Sequence, residues 1–472
     1  MVHSFCTARR MSPALLVLAI AGCATLSNDR GFGPVAATVQ QRTGAKAQWT
    51  RTEADRDAVK SVVAERLART LTAEDAVQIA LVNNPGLQAS YAELGIGEAE
   101  LVRAGRLPNP RFSFSRISNS QSLEIERKFA VDIVGILLMP ITSKIEAGRF
   151  QATQTAVASE ALRVAAETRR AYFMAVAASE SVRYYEQVLL AAGASSELAR
   201  RMVEAGNWSR LAQAREQVFH ADATAQLTRA KQNAVAERER LARLLGLGSG
   251  PAAIKLPDRL PDLPASPRAI SNVEARILED RLDVRMARQG LDATGYALEL
   301  TKATRFIGVF DLAYRNKSDT GVPRQNGYEI DIEVPLFDWG ETKVAKAEAI
   351  YLQSVARLAE AAGNAQSEAR TAYSGYRSSY ELARHYRQEV VPLRKKIAEE
   401  TLLRYNGMLM SVFEVLADAR EQVMSVNAAI GATRDFWLAD ADLDAAIAGG
   451  SPLPEDGMRS RGNDVRATRA AH

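Results

Sequence analysis

The sequence predicts an α+β chain of long helices and two short pairs of strands, with the whole plan laid down twice. Three observations carry this. Alanine, arginine, glutamate, leucine and glutamine are abundant while aromatic residues make up only 6% of the 472 residues, a composition that builds long packed helices. Apolar spacing is helical over most of the chain but changes to strict alternation in two places. The order of elements across residues 71–248 then recurs across 271–448, and such internal repetition defines an architecture. The net charge is only +4, with acids and bases interleaved as on solvated helix faces. Nothing in that balance points to nucleic acid as a partner.

The first 22 residues read as a targeting signal. Arg9 and Arg10 supply its positive end and 11–21 its apolar run, which is too short to span a bilayer. The run ends in Ile20-Ala21-Gly22-Cys23, which resembles a bacterial lipobox and implies a lipid on Cys23. The other cysteine, Cys6, falls inside the signal, so the mature chain is expected to hold no disulfide. Residues 23–70 read as a lipidated, extended, polar arm. Beyond Cys23 no apolar run reaches the length of a membrane helix, so any crossing must be made by strands.

The first half opens at Thr72, an oxygen-bearing cap followed by Glu74 and Asp75 in the first turn. Asn83-Asn84-Pro85 breaks this helix. A second helix covers about 87–105 and stops at Leu107-Pro108-Asn109-Pro110. Phe112 and Phe114 then alternate with serines, and Phe129, Val131 and Ile133 alternate beyond a polar turn, placing strands at 111–117 and 124–134. A helix over 144–205 would be on the order of 90 Å long at about 1.5 Å per residue. Gly206-Asn207 marks a turn, and Ser209 caps a return helix to about 245.

A linker at 249–270 carries Pro251, Pro257, Pro261, Pro264 and Pro267, which forbid a regular helix. The second half repeats the plan. It has a helix over 273–302, strands at 305–315 and 327–335, and a helical region at 341–405 broken at Pro392. A turn at Asn406-Gly407 and a helix over 412–447 complete it. The two return helices share the string Ala-Arg-Glu-Gln-Val, at Ala214 to Val218 and Ala419 to Val423. Residues 449–472 are polar and arginine-rich and read as a disordered tail.

Four strands cannot close a barrel, and an open sheet edge cannot face lipid. Three copies would supply about twelve strands, within the range of bacterial barrels, so the strand count argues for a homotrimer. In the last strand Tyr328, Ile330, Ile332 and Val334 face one way and Glu329, Asp331 and Glu333 the other. Three carboxylates on one face suit a water-filled lumen that favours cations, with the apolar row toward lipid. A solvated sheet face is the competing reading. Charges throughout the long helices exclude them as membrane spans.

Residues 71–447 resemble the TolC-type outer-membrane factor family. The resemblance rests on five landmarks in order: Leu71 to Ala80 with Asn83-Asn84-Pro85; Leu107 to Pro110; Ala205 to Arg210; Val334-Pro335-Leu336-Phe337-Asp338-Trp339-Gly340; and Arg404-Tyr405 with Ser411 to Glu421. It implies a lipid-anchored trimeric barrel in the outer membrane continuing into a periplasmic helical tunnel. That assembly would be a passive exit duct for small toxic solutes, drugs or metal cations. The resemblance further implies docking to a periplasmic adaptor and an inner-membrane pump through two helix tips, here Gly206, Asn207 and Ser209, and Arg404, Tyr405 and Gly407. Glu414 matches the first acid of the family's periplasmic gate. The second matching position is Ala417, with Asp418 one residue on and sharing a helix face with Glu414. Gly407 lies one residue earlier after Arg404-Tyr405 than the family pattern has it.

Catalysis finds no support. His220, His385 and His472 are widely separated, with no paired metal ligands and no nucleophile elbow, so no cofactor or metal is expected. The alternatives are a duct for secreted polypeptides and a coiled-coil structural lipoprotein.

Overall fold

The computed structural model describes residues 25–248, 254–269, 279–306, 310–332 and 337–449. The signal 1–22, Cys23, Glu333, most of the 449–472 tail and parts of the linker and of both second-half strands lie outside them. In chain order the elements are α1 (Phe32–Thr43), α2 (Glu53–Ala68), α3 (Ala73–Asn83), α4 (Pro85–Ala104), β1 (Arg111–Ser118), β2 (Leu123–Asp132), α5 (Ile133–Glu204) and α6 (Arg210–Leu244). The second half follows with α7 (Leu282–Thr304), β3 (Phe310–Asp319), β4 (Val322–Ile332), α8 (Glu341–His385), a π-helical turn (Tyr386–Val390), α9 (Val391–Asn406) and α10 (Val412–Ala448). The chain divides into two compact units. Unit 1 comprises Met1–Phe32, Glu93–Gln154 and Met286–Ala359; unit 2 comprises Gly33–Ala92, Thr155–Arg285 and Glu360–His472.

Unit 1 holds the sheet. Its order is β1-β2-β3-β4, antiparallel throughout, so the hairpins of the two halves are joined through β2 and β3. Asn119 closes the first hairpin, its Oδ1 accepting the Gln121 and Ser122 backbone N–H groups at 2.9 and 2.7 Å. The second hairpin differs from expectation. Its strands run to Asp319 and from Val322, whereas the sequence placed them at 305–315 and 327–335. Polar residues on both faces near the turn hide the alternation there.

Unit 2 is helical, and its helix starts follow from the sequence. Thr72 and Ser209 cap α3 and α6, their side chains accepting the Asp75 and Ala212 N–H groups at 3.1 Å each. Asn83 and Asn84 do more than break a helix. Their side-chain amides donate to the Leu245 and Leu244 carbonyls at 2.8 and 2.9 Å, satisfying the carbonyl end of α6. In the second half Arg281, 2% exposed, takes that part, donating to the Ala446 carbonyl at 2.8 Å while Asp283 and Glu368 neutralise it.

The 24–70 stretch corrects the expectation of an extended arm, because it carries α1 and α2. Each buries two valines four residues apart, Val35 with Val39 and Val59 with Val63, a stripe too narrow to stand out in a polar segment. Gln78 and Gln88 hold the link between them, each accepting from and donating to its backbone, at Lys46 and at Thr50 and Gln48. The break read at Pro392 is a π turn within a continuing helix. Proline removes one donor and crowds the carbonyl four residues before it, and a widened turn relieves both.

Candidate functional site

Two regions carry the predicted site residues, the sheet of unit 1 and the helix tips of unit 2.

Strand register assigns every sheet residue to a face. Cross-strand pairs Phe112↔Phe129, Phe129↔Tyr314 and Tyr314↔Tyr328 run across one face. That face is apolar and open: Phe112 is 66%, Tyr328 83% and Ile332 61% exposed. Pairs Ser113↔Lys128, Lys128↔Arg315 and Ala313↔Glu329 run across the opposite, polar face. Glu329 and Asp331 lie there as expected, but not as a bare acidic row. Lys128 Nζ reaches Glu329 at 2.6 Å and Asp331 at 3.7 Å. Arg315 bridges Glu126 at 2.6 Å and Glu329 at 3.3 Å, Lys317 pairs with Glu124 at 2.8 Å, and Arg111 pairs with Asp311. The bases come from β1, β2 and β3, so reading β4 alone overstated the negative charge. Both edges of the sheet, β1 and β4, lack a neighbouring strand among the described residues.

The first tip turns at Gly206, φ +75°, with the Asn207 N–H bonded to the Met202 carbonyl at 2.8 Å. Just before it, the Arg200 and Arg201 guanidiniums hold the Glu197 carboxyl down to about 2. The second tip makes the same turn one residue later than the position of its glycine predicts. Gly407 has φ −79°, and Met408 takes the left-handed conformation at φ +60°. The Leu409 N–H closes this turn on the Arg404 carbonyl at 2.8 Å, and the Met408 N–H bonds the Tyr405 carbonyl at 2.9 Å. The displaced Gly407 thus leaves a methionine where the backbone favours glycine.

The tips pack on each other. The Trp208 and Phe413 rings stack with centroids 4.6 Å apart and planes 14° from parallel. Deeper in, Arg420 of α10 reaches Glu216 of α6 at 2.5 Å, and the Tyr184 hydroxyl of α5 bonds the Val423 carbonyl of α10 at 3.4 Å. Sequence reasoning missed these contacts, since only folding joins residues about two hundred positions apart.

The two acids assigned to a gate both have partners in this chain. Glu414 completes a capping box at the start of α10, accepting from the Ser411 N–H and hydroxyl at 2.9 Å each. Asp418 accepts from the hydroxyl of Thr401, a buried residue of α9. Among the described residues no helix is long and apolar enough to cross a membrane, and no group of three or more His, Cys, Asp or Glu is placed to hold a metal.

Several solved outer-membrane channels share this fold along nearly their whole length. CusC superposes with a TM-score of 0.67 at 17% identity, covering 80% of this chain and 92% of its own. The outer-membrane channel OprN gives 0.68 at 18%, covering 86% and 94%. MtrE of Neisseria gonorrhoeae, solved in an open state, gives 0.65 at 18%, covering 82% and 90%. No protein-family model and no curated protein matches the sequence.

Proposed function

We propose that this chain is a member of the TolC-type outer-membrane factor family and that three copies of it form an outer-membrane channel, the passive exit duct of a tripartite efflux system. One observation carries the reading: a four-stranded sheet with an exposed apolar face, a charged face and two edges that have no neighbouring strand among the described residues. Such a sheet is incomplete alone, because unpaired backbone groups are not tolerated in hydrocarbon. Three copies joined edge to edge would leave no edge, turning the apolar face to lipid and the charged face, with Glu329 and Asp331, to a water-filled lumen. Phe337 and Trp339, 99% and 59% exposed just past β4, suit the aromatic belt at a membrane interface. The match to outer-membrane channels along most of both chains supports the same reading. An isolated coiled-coil lipoprotein would have no use for a two-faced sheet.

In this reading Cys23 carries the lipid anchor, and the tips at Gly206, Asn207 and Ser209 and at Arg404, Tyr405 and Gly407 dock a periplasmic adaptor that links to an inner-membrane pump. The duct itself uses no energy. Glu414 and Asp418, repeated three times around the axis, constrict the periplasmic end and disfavour anions.

The test is purification in mild detergent followed by native mass measurement and planar-bilayer recording. A mass of three chains with stable unitary conductance is expected, whereas a monomer that conducts nothing would overturn the reading. The gate is tested with Glu414→Gln, which keeps the capping bond but removes the charge, combined with Asp418→Asn. Conductance should rise or anion permeability increase; unchanged values would remove both residues from the gate.

A further inference from the structure

Unit 1 contains a groove of about 630 Å³ that the channel reading leaves unused. It lies where the N-terminal segment, the end of α4, the loop leading to β1 and the first turns of α5 come together. Leu26, Val102, Leu107, Pro108 and Met139 give it an apolar lining. In the sequence the groove adjoins the ends of β1 and β2 that carry Phe112, Phe129 and Val131 on the apolar face of the sheet.

The backbone leading to this groove is fastened. The Ser27 N–H donates to Glu98 Oε1 at 2.8 Å, and Glu98 is only 6% exposed. Arg30 sits 3.7 Å from the same carboxylate, and the Gln154 side chain donates to the Gly31 carbonyl at 2.9 Å. Gly31 itself lies so close to Phe150 that a Cβ would meet the ring at 2.3 Å. A lipid tether whose only task is to hold a protein near a bilayer gains nothing from such fixing, since loose linkers serve equally well. Here the first described residues after Cys23 are held against α4, and Leu26 forms part of the groove wall. Cys23 is three residues upstream, within about 11 Å of Leu26 even if fully extended.

We propose that the groove seats an acyl chain of the lipid carried on Cys23, so that the anchor packs against its own protein at the membrane boundary. This rests on the lipoprotein reading of Cys23. Arg103 and Arg106 also line the groove; long basic side chains at an apolar site reach toward headgroup phosphates, which fits a seat at the level of the interface. Burying hydrocarbon there removes it from water. In a bilayer the gain is one of position, because the lipid fixes where the N-terminus enters the membrane.

The test uses the full chain made in cells fed a diazirine-bearing palmitate. The purified protein is irradiated and its peptides mapped by mass spectrometry. The expected product joins the lipid on Cys23 to peptides covering 102–110 or 133–142. Met139→Trp, which fills the groove, should reduce that product at least about fivefold, in line with occlusion of a site of ligand size, while the yield of assembled protein holds. A lipidated Cys23 whose probe links only to phospholipid or to other peptides would overturn the proposal alone. Links at the groove from probe not attached to Cys23 would make it a site for bilayer lipid and also overturn the proposal. An unmodified Cys23 would remove the lipoprotein reading, and the proposal with it.

Discussion

Arg420 and Glu216 form an ion pair of 2.5 Å between the two copies of the one string that both halves share, Ala-Arg-Glu-Gln-Val. Glu216 is buried at 4% side-chain exposure, and its second oxygen accepts from the Ser195 hydroxyl at 2.6 Å. The copies are not in symmetric positions. Ala214 is the fifth residue of α6 and Ala419 the eighth of α10, an offset of about one turn. Glu421 in the second copy instead pairs with Arg394 on α9 at 3.0 Å. Removing one partner of a buried pair costs about 3–5 kcal/mol. With Arg420 35% exposed and Ser195 retained, we expect Arg420→Ala to destabilise unit 2 by about 2 kcal/mol. Glu216→Leu with Arg420→Met should recover more than half of this in thermal melts followed by helical circular dichroism. Equal melting of the two variants would show that the pair contributes no coupling.

Met408 stands in the left-handed region, 94% exposed, where the first tip has Gly206. That conformation costs a non-glycine residue about 1–2 kcal/mol, while glycine forfeits about 0.4–1 kcal/mol through its freer unfolded chain. Met408→Gly should therefore stabilise the protein by about 0.5 kcal/mol, and Gly206→Ala should destabilise it by about 1 kcal/mol. Denaturant midpoints measure both. A loss of stability in Met408→Gly would mean that the methionine side chain makes a stabilising contact in the assembly.

Asp75 titrates below its ordinary value. Burial alone would raise it, but the Thr72 hydroxyl and the Arg66 and Arg69 guanidiniums outweigh burial. A depressed folded value means stability that is present above the unfolded value, about 3.9, and lost as the pH falls through the lower folded one. Asp75→Asn should melt earlier than the wild type at pH 7, and the gap should close toward pH 3. Parallel melting curves at both pH values would refute this role for Asp75.

How much the sequence disclosed follows the range of each interaction. Thr72, Ser209 and the Asn83-Asn84 break were legible because capping is local. Helices α1 and α2 were not, since two valines apiece give too narrow a stripe. The start of α5 was read as strand because Ile133 continues the alternation of Phe129 and Val131. The second hairpin was cut short because Asn316, Ser318, Arg324 and Asn326 put polar side chains on the face that is otherwise apolar. Glu329 and Asp331 were placed on the right face by alternation alone, but their partner Lys128 sits on a strand two hundred residues earlier, and only the register shows it.

Lys128 therefore decides the charge that the polar face presents. It is the base that touches both Glu329 and Asp331, and among the described residues Lys128→Gln would leave Asp331 without a basic partner and Glu329 with Arg315 only. If that face lines the lumen, the reconstituted channel should become more cation-selective, seen as a reversal potential displaced toward the cation's equilibrium value in a salt gradient. The displacement should shrink from about 0.1 M to about 1 M salt, as the screening length drops from about 10 Å to about 3 Å. Adding Glu329→Gln should return selectivity toward the wild-type value. Unaltered selectivity in Lys128→Gln would mean that ions do not pass this ladder, and would remove Glu329 and Asp331 from the conduction path.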